Sequence, residues 1–217
     1  MTAAKPTVHI VDDDASFLAA ISRLLRASGF EVRAFSSAAD FLEQREDGAP
    51  GCVVADLQMP GMSGFDLQSV LAQTSNPLPI LFLTGHGDVP SSVRAIRDGA
   101  EDFLEKRAQK EKVVDAVRRC LERDANERRS RNQVHELRAR FDALSTRELE
   151  VLSHVVHGRL NKQIADDLSI HERTVKLHRT AITTKLGVSS VAELTRVTIQ
   201  AGIFPFPPLQ QTFPKGQ

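Results

Sequence analysis

Cys52-Val53-Val54-Ala55-Asp56, continuing as Leu57-Gln58-Met59-Pro60-Gly61-Met62-Ser63-Gly64, is the stretch on which the fold turns. A short apolar run that ends at a carboxylate and then at a Pro/Gly turn reads as a buried strand emerging into a loop. In open α/β sheets, ligands bind beyond the carboxyl ends of the strands. Asp56 is therefore placed for chemistry.

Outward from this stretch, the first 105 residues alternate between short apolar runs and helical patterns. Candidate strands are Thr7–Val11, Glu31–Phe35, 52–55, 79–83 and 101–104, with amphipathic stretches near 15–28, 37–46, 64–74 and 89–98. Strands alternating with helices imply a parallel sheet with helices on both faces, and right-handed crossovers leave few topologies. Asp14 reads as the N-cap of the first helix. A fifth helix begins near Gln109, with Val113, Val114, Val117 and Leu121 as its apolar face. Punctuation is then sparse: no Pro lies between Pro90 and Pro205, and no Gly between Gly99 and Gly158. The Arg- and Glu-rich segment 122–132 shows no sustained heptad and is expected to be a solvated helix or linker.

A length of 217 residues fits two domains better than one, and 41% hydrophobic residues support packed cores. Net charge is zero, but residues 1–129 carry 16 Lys/Arg against 20 Asp/Glu and residues 130–217 carry 12 against 8. An acidic half joined to a basic half suggests a metal- or phosphate-handling unit joined to a nucleic-acid-binding unit. There is no apolar stretch long enough to span a bilayer and no signal-peptide pattern, so a cytoplasmic location without a membrane partner is expected. Cys52 and Cys120 read as two reduced thiols. His154 and His157 share a helix face, but no further ligand completes a metal site.

The second domain begins near Leu144. Ser145-Thr146-Arg147-Glu148 is a capping box that opens a helix through Val156, stopped by Gly158. Further helices fall near 161–168, 172–185 and 190–201, the last opened by a second box from Ser190 to Glu193. On the 172–186 helix, Val175, His178, Ile182 and Leu186 share one face, which packs on the domain. The opposite face carries Arg173, Lys176, Leu177, Thr180 and Thr184. The tail from Phe204-Pro205-Phe206-Pro207-Pro208 onward cannot be helical, and a frayed terminus is expected.

Val11-Asp12-Asp13-Asp14, Asp56 through Gly64, Leu83-Thr84-Gly85 and Phe103-Leu104-Glu105-Lys106 together resemble the receiver domain of bacterial two-component response regulators, over about residues 5–122. The resemblance implies a CheY-like, doubly wound α/β fold with a five-stranded parallel sheet. It also implies that Asp56 is a phosphoacceptor, since a carboxylate can attack a phosphoryl donor and form an acyl phosphate. Mg²⁺ (or Mn²⁺) would be held directly by Asp13 and Asp56, by Asp12 mostly through water, and by the backbone carbonyl of Gln58. Lys106 would pair with the phosphoryl oxygens and Thr84 would hydrogen-bond one of them, with Phe103 as the aromatic that turns inward. One position departs from the family, which usually has proline after the lysine, often cis. Here Arg107 follows. A cis bond without proline costs roughly 3 kcal/mol, so a trans 106–107 bond, a re-routed loop and a less well aimed Lys106 are expected.

Residues 145–202 resemble the LuxR-type helix-turn-helix of the NarL/FixJ regulators. The motifs are Leu144 to Glu148, Asn161-Lys162-Gln163-Ile164-Ala165, Thr174-Val175-Lys176-Leu177-His178, Ile182 and Lys185-Leu186-Gly187. The resemblance implies a separate all-α, four-helix domain whose 172–186 helix enters the DNA major groove. The face of Arg173, Lys176, Leu177, Thr180 and Thr184 can enter that groove, with Leu177 against a thymine methyl, and Thr174 counts among the expected DNA-binding residues. Lys162, His178, Arg179 and Lys185 flank that face, better placed for phosphates. His171 stands where the family often has a capping Ser, at a cost of ~1 kcal/mol. In the last helix, Val191, Leu194, Thr195 and Thr198 offer a dimer face, with core packing the competing reading for Leu194.

The expected organisation is a receiver over 1–122, a helical linker over 123–143, a LuxR-type domain over 144–203 and a Pro/Phe-rich tail over 204–217. The expected protein is a transcription factor rather than an enzyme with an external substrate; the receiver would catalyse only its own phosphorylation and dephosphorylation. A sensor histidine kinase would phosphorylate Asp56. The activated homodimer, paired partly through Val93 and its neighbours, would bind double-stranded promoter DNA and engage RNA polymerase. A phosphohydrolase of the haloacid-dehalogenase type needs a second Asp two positions after the first, where this chain has Gln58. The alternative that stays open, because of Arg107, is a phosphorylation-independent DNA-binding dimer with a degenerate receiver.

Overall fold

The computed structural model describes residues 5–85 and 88–203. The Pro/Phe-rich tail lies outside the described residues. Two compact units divide the chain, Met1–Arg129 and Ser130–Gln217.

In the first unit, strands β1 (Thr7–Val11), β2 (Glu31–Phe35), β3 (Gly51–Ala55), β4 (Ile80–Thr84) and β5 (Asp102–Glu105) alternate with helices α1 (Ala15–Ala27), α2 (Ala38–Gln44), α3 (Gly64–Ala72) and α4 (Val89–Arg97), and α5 (Lys110–Asp142) follows. All strand pairs are parallel, in the order β2-β1-β3-β4-β5. β3 and β4 are buried at every position, which is why their sequences read as unbroken apolar runs. Cys52, Val54, Leu81 and Leu83 pack with Ile21, Leu25, Val113, Val117 and Cys120 on one face. Val53, Ala55, Ile80 and Phe82 pack with Phe41, Leu67, Leu71 and Ala95 on the other. β1 and β3 are neighbours in register, with Val11 opposite Ala55. The strand order reverses there, so the crevice beyond their carboxyl ends is the site that this topology opens.

Cys52 and Cys120 are both buried and free. A hydrogen bond to Cys120, and then burial, push the Cys52 thiol well up, which makes it a poor nucleophile. β4 and β5 each end one residue later than the sequence suggests, because Thr84 pairs with Glu105 and the Lys106 N–H donates to the Thr84 carbonyl at 2.8 Å.

The charged run in α5 is not simply solvated. The Asp124 carboxylate is buried and accepts from the Gly51 N–H at 2.9 Å and from Arg128 Nε at 2.7 and 2.8 Å. The same guanidinium donates to the carbonyls of Gly48, at 2.6 Å, and Ala49. Further along, Leu137 and Phe141 belong to the core of the second unit. Within the segment expected as a linker, Asp124, Leu137 and Phe141 are buried, while most of the other residues are exposed.

The second unit adds α6 (Thr146–Val156), α7 (Asn161–Asp167), α8 (Glu172–Leu186) and α9 (Val191–Ala201). Its core gathers Val151, Leu152, Val155, Ile164, Val175, Ile182, Leu186, Leu194 and Ala201. The first capping box forms in full, the Ser145 N–H donating to Glu148 at 2.7 Å and the Glu148 N–H to Ser145 Oγ at 3.3 Å. The second forms by half: the Glu193 N–H reaches Ser190 Oγ at 3.1 Å, but its carboxylate accepts from Ser189, not Ser190. His171 makes no side-chain cap. The expected dimer face of α9 needs correction. Leu194 and Thr198 are core residues, Thr198 Oγ1 donating to the Leu194 carbonyl at 2.7 Å. The large exposed apolar side chains of α9 are Val191 and Ile199, because the helix turns its Leu194–Val197–Thr198–Ala201 stripe inward.

Candidate functional site

Three carboxylates meet beyond the ends of β1 and β3. Asp12 is 1% exposed and Asp56 7%, while Asp13 is exposed; one carboxylate oxygen from each lies within 4.8 Å of the others. The backbone builds this arrangement. Asp12 N–H donates to the Phe35 carbonyl at 3.1 Å and Asp56 N–H to the Val11 carbonyl at 2.9 Å, so both leave the sheet in register. Asp12 Oδ1 accepts from the Asp14 N–H at 2.9 Å. Asp56 Oδ1 accepts from the Leu57 N–H at 2.6 Å and, more weakly, from the Gln58 N–H at 3.5 Å. The Gln58 side chain is exposed. Asp14 caps α1, as expected, accepting from the Ser16 and Phe17 N–H groups. Gly64 completes the wall: its N–H donates to the Leu57 carbonyl at 2.9 Å, and a Cβ there would strike the Asp56 carbonyl oxygen and the Phe82 ring.

Lys106 enters from the end of β5. Its ammonium lies 2.6 Å from Asp12 Oδ2 and 2.9 Å from Asp56 Oδ2. Among the described residues no peptide bond is cis, so the 106–107 bond is trans. The expectation that Arg107 would mis-aim the lysine is corrected. The β-type bond from the Lys106 N–H to Thr84 fixes the backbone before residue 107, and Arg107 turns outward to pair with Glu105. Burial raises the Asp12 carboxyl above its ordinary range; the hydrogen bonds from Lys106 and the Asp14 N–H offset this only in part. Burial also works against the Lys106 charge, but hydrogen bonds to Asp12 and Asp56 prevail and raise it. Three acidic groups against one ammonium leave excess negative charge, and oxygen donors in such a cluster suit a hard divalent cation. A cation there would favour ionised Asp12.

Thr84 is buried at the end of β4. Phe103 is half-buried, its ring 6.2 Å from that of Phe82, and it lines a groove with Ser92, Val93, Ile96 and Arg97. Val89, Val93 and Ile96 are exposed on α4. Sequence reasoning missed Phe17, whose ring lies 4.6 Å from the Lys106 ammonium.

In the second unit, α8 buries Val175, Ile182 and Leu186, and His178 is half-buried. Arg173, Lys176, Leu177, Thr180 and Thr184 are exposed, as is Lys162 on α7. Thr174 is half-buried. Arg179 donates to Asn161 Oδ1 at 2.7 Å. Lys185 departs from expectation: its ammonium is tied to buried Glu148 at 2.7 Å and to the Ala143 carbonyl at 3.1 Å. Hydrogen bonds from Lys185 and Ser145 hold the Glu148 carboxyl low. Lys185 braces the domain rather than standing free for a phosphate. Among the described residues, no helix is long and apolar enough to cross a membrane.

Residues 8–118 match the family model of the response regulator receiver domain, and residues 142–198 that of the bacterial regulatory proteins of the luxR family. Response regulator protein TmoT of Ectopseudomonas mendocina is 45% identical over 191 residues, covering 88% of this chain and 87% of that protein. Transcriptional regulatory protein FixJ of Azorhizobium caulinodans is 40% identical, covering 91% of this chain and 94% of that protein. The solved structure of response regulator StyR is 44% identical with a TM-score of 0.79, covering 91% of this chain and all of that one.

Proposed function

This chain belongs to the response regulators of the NarL/FixJ class, a receiver domain joined to a LuxR-type DNA-binding domain that regulates transcription, and from that premise we propose how it is switched. A sensor histidine kinase phosphorylates Asp56. A carboxylate oxygen of Asp56 attacks the phosphorus, the P–N bond to the kinase histidine breaks, and an acyl phosphate forms; later attack by water returns the carboxylate and inorganic phosphate. The observation that carries this reading is the convergence of Asp12, Asp13, Asp56 and Lys106 at one crevice. Asp13, Asp56 and the Gln58 carbonyl would hold Mg²⁺ (or Mn²⁺) directly, and Asp12 through water. Such a cation would neutralise charge on the phosphoryl oxygens. Lys106 moves from the carboxylates to a phosphoryl oxygen, Thr84 hydrogen-bonds another, and Phe103 turns inward, so that the surface around Val93 becomes a dimer face.

The output is made by α8. Arg173, Thr174, Lys176, Leu177 and Thr180 read base edges, while Lys162, His178 and Arg179 set the register on phosphates. Pairing two half-sites through one dimer raises affinity by effective concentration. The protein works in the cytoplasm, where the bound dimer engages RNA polymerase.

The test uses promoter duplexes selected from a random pool by the full chain. Acetyl phosphate with Mg²⁺ should tighten binding of the wild type and leave Asp56→Asn unchanged. Equal affinity for both proteins, with and without the phosphodonor, would favour the phosphorylation-independent dimer instead. Lys176→Ala should weaken binding by about tenfold or more, the value of one base contact.

A further inference from the structure

The Lys106 ammonium faces three groups: the carboxylates of Asp12 and Asp56, and the ring of Phe17 at 4.6 Å. A lysine is a point charge on a flexible stem, so its neighbours decide where it stands. Arg107 gives it no help, since that side chain is exposed and paired with Glu105. The Phe17 ring, by contrast, is half-buried. Its backbone N–H donates to the Asp14 cap at 3.1 Å, and its ring packs against the core beneath α1 and α5. Phe17 and Lys106 together border an open groove whose other walls include Ala20, Leu24, Leu83 and Val113. A smaller side chain at position 17 would let the ammonium swing away from the carboxylates into that space.

We propose that Phe17 is a positioning residue for phosphorylation of Asp56, its aromatic face holding the Lys106 ammonium over the acidic pocket. The inference rests on the reading of Asp56 as the phosphoacceptor. An ammonium within about 6 Å of a ring centroid is attracted by the ring quadrupole, and most strongly by indole. The face of Phe17, not merely its bulk, therefore matters.

The test is the initial rate of acyl-phosphate formation on Asp56 in the full chain, with acetyl phosphate and Mg²⁺. Phe17→Leu should slow it about three- to tenfold, and Phe17→Trp should keep it near the wild-type rate. In a Lys106→Met background, Phe17→Leu should change the rate by less than about twofold, because the partner is gone. A wild-type rate in Phe17→Leu, or the same slowing with and without Lys106, would overturn the proposal while leaving Asp56 as the acceptor. No label on Asp56 in the wild type would overturn both.

Discussion

Arg128→Met is expected to destabilise the first unit by about 3 kcal/mol, and a further Asp124→Asn change to restore most of that loss. The Asp124 carboxylate is 2% exposed, and its negative charge is tolerated because Arg128 meets it at 2.7 Å. Removing the guanidinium leaves a buried charge that, among the described residues, keeps the hydrogen bond from the Gly51 N–H, 2.9 Å away. Breaking one side of a buried pair typically costs 3–5 kcal/mol, and the partial exposure of Arg128 argues for the lower end. An asparagine at 124 can still accept from Gly51 without carrying a charge. Urea unfolding followed by far-UV circular dichroism distinguishes the cases. Equal stability of Arg128→Met and wild type would mean that the pair is a solvated surface contact, as the sequence alone suggested.

His9 should make the first unit lose about 3 kcal/mol of stability between pH 6.5 and pH 4. The ring lies among Phe35 and Phe41, with centroids 6.0 and 5.3 Å away, and Nδ1 has no hydrogen-bond partner among the described residues. Burial, with the charges of Arg33 and Arg45, lowers its pKa from 6.5 to about 4. The native state therefore keeps His9 neutral where the unfolded chain already binds a proton. Stability falls as pH drops through 6.5, continues falling to about 4, and is unaffected by this group at higher pH. His9→Phe removes the titration, so the stability difference between variant and wild type should move in favour of the variant across that window. Parallel curves from pH 7 to pH 4 would show that His9 is not held neutral.

Both effects come from residues whose roles were hidden in the sequence. His9 sits at an ordinary position of an apolar strand, and only the sheet register shows that it faces two phenylalanines. Asp124 and Arg128 belong to a run of mixed charge, where solvation is the normal reading; the loop that they grip lies some eighty residues earlier. Phe17 was invisible for the same reason, since nothing in a local pattern places an α1 ring beside a β5 lysine. By contrast, the acidic crevice was legible because parallel strands put their carboxyl ends on one edge. The run before Asp56, the acidic pair after Val11, Thr84 and Lys106 each mark such an end. In the second unit, helix periodicity separated Val175, Ile182 and Leu186 from the exposed face of α8. It could not tell that Lys185 would be drawn to Glu148, or that α9 would turn Leu194 and Thr198 inward, because both depend on which neighbour each helix meets.

The proposed switch depends on Asp56 as its phosphate-driven trigger. Its most direct test is to treat wild type and Asp56→Asn with acetyl phosphate and Mg²⁺, then measure covalent modification and molecular size on the same samples. Modification together with a monomer-to-dimer shift, both in the wild type alone, is the predicted result. An unmodified wild type, or a dimer in both proteins, would contradict it.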